Sequence, residues 1–129
     1  FFITFSVFSQ SNFEKGAKLF DQKKYKEAKT YFNNYLNEYP SDIKTTEYLG
    51  DIAGIYKEWD EAIKCYEKIK KLNPQDANYH YKYGGALGMK AKESNKFAAL
   101  GMIGDVEDAF LTASNLALIS LRASLASAS

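Results

Sequence analysis

The chain has 129 residues, of which 46% are hydrophobic and 26% are charged, and this composition is that of one soluble globular domain rather than of a disordered segment. The 17 Lys and Arg residues nearly balance the 16 Asp and Glu residues, so we expect no basic surface for nucleic acid. A single cysteine excludes an internal disulfide, and a single histidine has no second histidine with which to share a metal.

The first residues form an apolar segment without charge. Residues 1–9 are too few to span a bilayer, which takes about 20 residues, but they match the apolar region of a secretory signal in size. We therefore predict a signal-peptide remnant over residues 1–9 and export to the periplasm or another extracytoplasmic compartment. The alternatives are an apolar strand or helix extension that packs on the domain, and a cytoplasmic protein.

The next segment carries the pattern of two packed helices. Gly16 lies on the first helix, where a neighbouring helix must approach closely. Ala28 is the small residue that allows close approach on the second helix. Phe32, one turn later, can fill the space between the helices. Pro40 is expected to end the second helix.

The same types of residue recur 34 positions later in the chain. Asp42 and Asp76 each follow a proline by two residues, and each is placed to cap the next helix. Several matches at one offset and in one order indicate an internal repeat. Each unit is a helix hairpin that cannot bury its apolar face alone, so neighbouring units must stack. The second-unit counterparts are Gly50, Ala62, Tyr66 and Pro74.

This repeat resembles the tetratricopeptide repeat (TPR) family. The family pattern is W-x₂-L-G-x₂-Y, then A-x₃-F, then P, over about 34 residues. The resemblance implies an all-α, right-handed superhelical stack of about three helix hairpins. It also implies a non-catalytic scaffold that binds a protein or peptide partner through the concave face. Both units depart from the pattern at the tryptophan position, which holds Asn12 and Thr46.

The third unit begins in phase and then departs from the repeat. Gly84 continues the period, but the distance from this glycine to the small residue of the second helix grows from 12 to 25 residues if that residue is Ala109. We therefore predict a 13-residue insertion between the two helices, within residues 91–105. Its apolar stretch 97–103 either extends the third hairpin, which we expect, or covers part of the concave face and gates partner access.

The last residues form an apolar tail, 119–129, in which Arg122 is the one charged residue. Either this tail packs on the last helix, or it is an edge that a longer chain would continue. The predicted repeat domain covers residues 10–118, with units at about 10–42, 43–76 and 77–118.

The first helices of the units should line the concave surface. Most floor positions carry small residues, so this floor is expected to be bare, with aromatic residues at either end, and open to a peptide backbone. Lys82 alone keeps a suitable charge for the carboxylate clamp of chaperone-tail binders, so no clamp is expected. The predicted partner-binding residues are Phe13, Ala17, Phe20, Glu47, Asp51, Gly54, Ile55, Tyr81, Gly85, Gly88 and Met89.

We predict no catalytic residue, no metal site and no cofactor. The glycine-rich run 84–88 ahead of Lys90 lacks the Gly-Lys order and the preceding strand of a phosphate-binding loop. Cys65 has no base beside it in the pattern, and His80 is more typical of a packing or surface residue. We thus expect a protein that is not an enzyme and has no transmembrane span. The alternative function is an accessory segment of a larger or oligomeric assembly, which docks or self-associates through its C-terminal edge.

Overall fold

The computed structural model describes residues 11–128, and these residues form six α-helices and no strand. Each helix packs on its neighbours in the chain, most closely within three successive pairs. The predicted all-α stack of helix hairpins is thereby confirmed. The predicted signal remnant, residues 1–9, lies outside the described residues. The helices are α1 (Asn12–Asp21), α2 (Tyr25–Glu38), α3 (Ile43–Ile55), α4 (Trp59–Leu72), α5 (Ala77–Glu93) and α6 (Lys96–Ser127).

Side-chain caps fix where the first helix of each pair begins. Ser11 and Glu14 form a reciprocal capping box, in which each side chain accepts a hydrogen bond from the backbone N–H of the other residue. The Asp42 carboxylate accepts from the Thr45 backbone N–H at 3.0 Å, and the Asp76 carboxylate accepts from the Asn78 backbone N–H at 2.9 Å. The two aspartates that follow the prolines therefore act as the predicted N-caps.

The turns inside the first two hairpins are alike. Lys23 and Lys57, which are 34 residues apart, both adopt a left-handed backbone with φ of 62° and 58°. The residue after each lysine donates its backbone N–H across the turn at 2.8 Å, from Lys24 to the Leu19 carbonyl and from Glu58 to the Ala53 carbonyl. The 34-residue period of the sequence is thus also a period of backbone conformation.

Close approach between paired helices occurs at the repeated glycines. A methyl group on Gly16 would come within 2.7 Å of the Phe32 ring, and one on Gly50 within 2.6 Å of the Tyr66 ring. Ala28 and Ala62 are both fully buried. The ring of the second helix therefore occupies the space that the missing glycine side chain leaves.

The third hairpin is longer because both of its helices are longer. α5 runs to Glu93 and α6 begins at Lys96, so the additional residues lie in extra helical turns. Trp59 on α4 donates its indole N–H to the Glu93 carboxylate at 2.8 Å, and Lys90 forms an ion pair with Asp60, also on α4. These contacts hold the last turns of α5 against the start of α4.

The extra turns correspond to the expected extension of the hairpin. Phe97 is 89% exposed at the start of α6, so this stretch does not cover the concave face. Phe110 lies opposite Gly84, in the place that Phe32 and Tyr66 hold in the first two hairpins, and Ala109 lies against Gly84 as Cys65 lies against Gly50. The predicted equivalence of Ala109 with Ala28 and Ala62 is therefore wrong by about one helical turn, because the extra turns hide the register of α6 on α5.

α6 differs from the other helices in length and in apolar exposure. Within residues 11–128 it is the one helix that is long and apolar enough to cross a membrane, with a mean hydropathy of 1.3 over a window of which 11% is buried. The prediction that the chain has no transmembrane span is therefore not confirmed. The exposed apolar surface of α6 requires a separate explanation.

Candidate functional site

A groove between α1 and α3 brings together three of the predicted partner-binding residues. Phe13, Glu47 and Asp51 line a cavity of about 450 Å³, together with Lys44 and Tyr48. We call this cavity the α1–α3 groove. The combination of aromatic rings and charged side chains from two repeats is suited to a mixed apolar and polar ligand.

An ion-pair network forms the polar side of the groove. The Lys82 ammonium on α5 lies 2.8 and 2.9 Å from the two Asp51 carboxylate oxygens and 2.8 Å from a Glu47 oxygen. The Tyr66 hydroxyl donates a hydrogen bond to Asp51, and the Asn78 side-chain amide donates to Glu47 at 3.2 Å. The network joins the second repeat to the third, and the exposed Lys44 ammonium lies 3.3 Å from Glu47 at its edge.

The network stabilises the charged forms of its members. Burial alone would raise the pKa of Glu47, but the hydrogen bond and charge of Lys82, followed by the charge of Lys44, outweigh burial and lower it. Burial alone would lower the pKa of Lys82, but its hydrogen bonds to Asp51 and Glu47 raise it. For Tyr66, burial and then the hydrogen bond to Asp51 both raise the pKa, so its hydroxyl stays protonated.

Tyr48 organises the aromatic side of the groove. Its ring stacks on Phe32 with centroids 4.6 Å apart and 13° between the planes. Phe20 and Phe13 meet the same ring edge-on, at 4.9 and 5.9 Å. Phe13 and Phe20 are therefore already half-buried against Tyr48, and each offers only one side to a partner.

Long side chains cover the floor of the α1–α3 groove, and none of the small residues predicted for the concave floor lines it. Lys82 reaches from α5 to the two carboxylates of α3, and Tyr48 fills the space near α1. A long side chain from a neighbouring helix can cover positions that are small in the helix that bears them. A partner would meet charged and aromatic groups here.

Several predicted residues lie elsewhere. Gly88 faces Val106 of α6, to which an added methyl group would come within 3.8 Å, and the Tyr81 ring lies 5.9 Å from that of Phe110 on α6. These residues belong to the contact between α5 and α6. The other predicted residues outside the lining of the α1–α3 groove are Ala17, Phe20, Gly54, Ile55, Gly85 and Met89.

The comparisons with known proteins agree with the repeat geometry. The family model described as tetratricopeptide repeat matches residues 13–42. A TPR repeat-containing protein of Methanocaldococcus jannaschii is 32% identical over 89 residues, which is 68% of this chain and 25% of the relative. The chain belongs to the tetratricopeptide repeat family. It spans about a quarter of the length of this relative, and TPR repeats in general mediate interactions between proteins.

In this TPR chain, the residue that could serve a carboxylate clamp is already engaged. Lys82 is bound by Glu47 and Asp51, so its charge is compensated before any partner arrives. A ligand carboxylate would also meet the two acidic side chains at short range, and this repulsion disfavours it. The structure thus adds a physical reason to the expectation from sequence that no clamp is present.

The single cysteine and the single histidine of the TPR chain both have structural surroundings. Cys65 is buried, and burial raises the pKa of its thiol to about 11, so the thiolate is scarce near neutral pH. A His80 ring nitrogen lies 2.7 Å from the Pro74 carbonyl oxygen. Among residues 11–128, no group of three or more His, Cys, Asp or Glu side chains is placed to hold a metal ion.

Four residues of the site were not identified from the sequence. Tyr66 was predicted only as a packing residue, but its hydroxyl also binds Asp51. Lys44, Tyr48 and Asn78 carry no motif that marks them. The spacing of Glu47 and Asp51 is the sequence feature that indicates the ion-pair network. It places two carboxylates on one helix face, and this implies a cation nearby.

Proposed function

We propose that this chain is a non-catalytic scaffold that binds a protein or peptide segment in the α1–α3 groove. The observation that carries the proposal is the lining itself, in which Phe13 and Tyr48 border the same space of about 450 Å³ as Glu47 and Asp51. Cys65 is buried with a protonated thiol, and His80 is engaged by a backbone carbonyl, so neither side chain supports a nucleophilic reaction. A binding role therefore requires fewer assumptions than catalysis.

The charges of the groove favour a partner with a basic side chain beside an apolar one. Lys44 lies 3.3 Å from Glu47, but its side chain is 68% exposed, so this ion pair is weak and easily displaced. An arginine or lysine of a partner can take the place of Lys44 at the Glu47 carboxylate. The neighbouring apolar side chain of the partner would then rest on Phe13 and Tyr48.

Binding of synthetic peptides tests this proposal. Peptides selected from a random displayed library on the immobilised chain should pair an aliphatic or aromatic residue with Lys or Arg. Replacing that basic residue by alanine, or Glu47 by glutamine, should raise Kd by about tenfold or more, because a hydrogen bond between charged groups is lost. Fluorescence anisotropy with labelled peptides measures the change.

Glu27→Gln is the matched control, since Glu27 is an exposed carboxylate on α2 outside the groove. This variant should bind the selected peptides like the unmodified chain. Selected peptides without a basic residue, or equal effects of the Glu27 and Glu47 substitutions, would contradict the proposed site.

A second candidate function, assembly through the C-terminal edge, is favoured by the exposed apolar residues of α6. Leu118 and Leu125 are 50% and 63% exposed although they belong to a regular helix. This feature does not depend on the α1–α3 groove.

A further inference from the structure

The middle of α6 packs on α5, where Ala109 is 6% and Ala113 is 8% exposed, and Ala109 lies against Gly84. Residues 117–127 of α6 are exposed. Leu111 stands midway between these two alanines in the sequence and is 61% exposed. Because an α-helix turns by about 100° per residue, Leu111 points away from α5.

The outward face carries a regular row of leucines. Leu111, Leu118 and Leu125 are seven residues apart and are 61%, 50% and 63% exposed. We call these three residues the leucine ridge. Seven residues are nearly two helical turns, so the ridge runs straight along the helix, and Leu121, 54% exposed, borders it. This spacing is the one with which two helices pack knobs into holes.

We propose that the leucine ridge binds the leucine ridge of a second copy of this chain, with the two α6 helices antiparallel about a two-fold axis at Leu118. In this arrangement Leu111 of one copy packs on Leu125 of the other, and Leu118 packs on Leu118. Each residue of the ridge then has an apolar counterpart.

The single charge in this part of α6 decides the orientation. Arg122 is the one charged residue between Ala109 and Ala128. Parallel helices would place the two Arg122 side chains next to each other, which costs energy through repulsion. Antiparallel helices place each Arg122 opposite Ser114 of the other copy and separate the two charges.

The available area suits a weak dimer. A standard interface takes about 800 Å² from each partner. Leu111, Leu118, Leu121 and Leu125 are at least half exposed and together offer roughly 300 Å² of side-chain surface. The alanine and serine residues between them add to this area, but the interface is smaller than the standard size, so dimerisation should require a high protein concentration.

The packing of α6 favours a second copy over a bilayer. A transmembrane span takes about 20 residues. Within α6, the stretch of that length with a single charged residue begins at Ala109. Inserting it would remove Ala109 and Ala113 from α5 and expose Gly84 and its surroundings. A second copy uses only the face that is already exposed.

Charge substitutions at the two-fold axis test the proposal. Sedimentation equilibrium over a concentration series should show twice the monomer mass for the unmodified chain. Leu118→Glu and Leu118→Lys should each weaken dimerisation by about tenfold or more, since two like charges meet at the axis. An equimolar mixture of the two variants should recover the dimer, because unlike charges then meet.

The control is Leu72→Glu, which changes a leucine that is 44% exposed on α4 and should leave the dimer intact. Circular dichroism verifies that each variant remains folded. A monomeric unmodified chain, a mixture that stays monomeric, or equal loss of dimer in the Leu72 variant would overturn the proposal.

Cysteine cross-linking tests the orientation. Leu111→Cys and Leu125→Cys variants should form disulfides with each other when mixed, and little disulfide when each is oxidised alone; the opposite pattern would overturn the antiparallel arrangement. Cys65 is buried and does not compete. Flotation with phosphatidylcholine vesicles tests whether the leucine ridge binds a membrane instead. If the chain forms no dimer in solution and binds vesicles, and Leu118→Lys abolishes that binding, the ridge is a membrane-binding surface.

Discussion

Lys82 on α5 lies 2.8 Å from the Asp51 carboxylate on α3, and this ion pair links the third repeat to the second. Glu47 completes the arrangement at 2.8 Å from the same ammonium. The side chains of all three residues are at least partly shielded from solvent. The contact therefore both holds neighbouring repeats together and defines the charge of the α1–α3 groove.

Removal of the shared cation should destabilise the stack. Lys82→Met leaves Glu47 and Asp51 near each other without a counter-charge, and we expect the free energy of unfolding to fall by about 1–3 kcal/mol. Lys44→Met is the control, since Lys44 is 68% exposed and its loss should change stability by less than about 0.5 kcal/mol. Urea denaturation measures the free energy of unfolding of both variants. Equal losses would show that the network contributes no more to stability than the exposed ion pair of Lys44.

The same network should make stability depend on pH at both ends of the range. The pKa of Glu47 is lowered from 4.5 in the folded chain, so its contribution is present above pH 4.5 and is lost as pH falls through the folded value. The pKa of Lys82 is raised from 10.5, so its contribution is present below pH 10.5 and is lost as pH rises through the folded value.

Urea denaturation at a series of pH values measures this dependence. Glu47→Gln should flatten the acid side of the profile, because the substituted side chain no longer titrates. Glu27→Gln, at an exposed carboxylate of α2, is the comparison, and it should flatten the acid side less than Glu47→Gln does. An acid side that is the same in all three proteins would show that Glu47 does not contribute.

Alanine at a repeated glycine should disturb the helix pairing. In Gly50→Ala the new methyl group would lie 2.6 Å from the Tyr66 ring and 3.0 Å from the Cys65 side chain, so the helices must move. We expect a loss of about 1–3 kcal/mol in the free energy of unfolding, which exceeds the gain in helix propensity.

Gly85→Ala is the matched control for this glycine. No atom lies within 4 Å of the added methyl group, and Gly85 is also inside a helix. Alanine should therefore stabilise the chain by about 0.5–1 kcal/mol. Thermal denaturation should separate the two variants in opposite directions, and a shift of the same sign in both would contradict the close packing at Gly50.

Glycine at the hairpin turns should stabilise the chain. Lys57 has φ of 58°. This left-handed conformation is strained for a residue that has a β-carbon, and it is nearly unstrained for glycine. We expect Lys57→Gly to raise the free energy of unfolding by about 0.5–1 kcal/mol, and Lys23→Gly to do the same at the equivalent turn. Lys64→Gly, inside α4, should instead lower it by about 1 kcal/mol. Destabilisation by all three would contradict the left-handed turn.

Local features of the sequence were sufficient to predict the first two hairpins. The glycine and aromatic positions of each repeat, such as Gly50 and Tyr66, and the aspartate caps at Asp42 and Asp76 all depend on neighbours within one helix pair or one turn. The third hairpin was harder, because Lys90 and Glu93 hold the extra turns of α5 through side chains on α4. Such contacts leave no periodic signal in the chain.

The sequence by itself determined the repeat length, the helical class and the residues of closest helix contact, because these follow from side-chain size and spacing along one segment. Only the tertiary structure decided which charged groups meet in the α1–α3 groove, since Lys82 reaches Asp51 across a gap of 31 residues. It also decided the register of α6 on α5, which places Ala109 inward and Leu111 outward. Both outcomes depend on the distance between two packed helices and on the rotation of each helix about its axis.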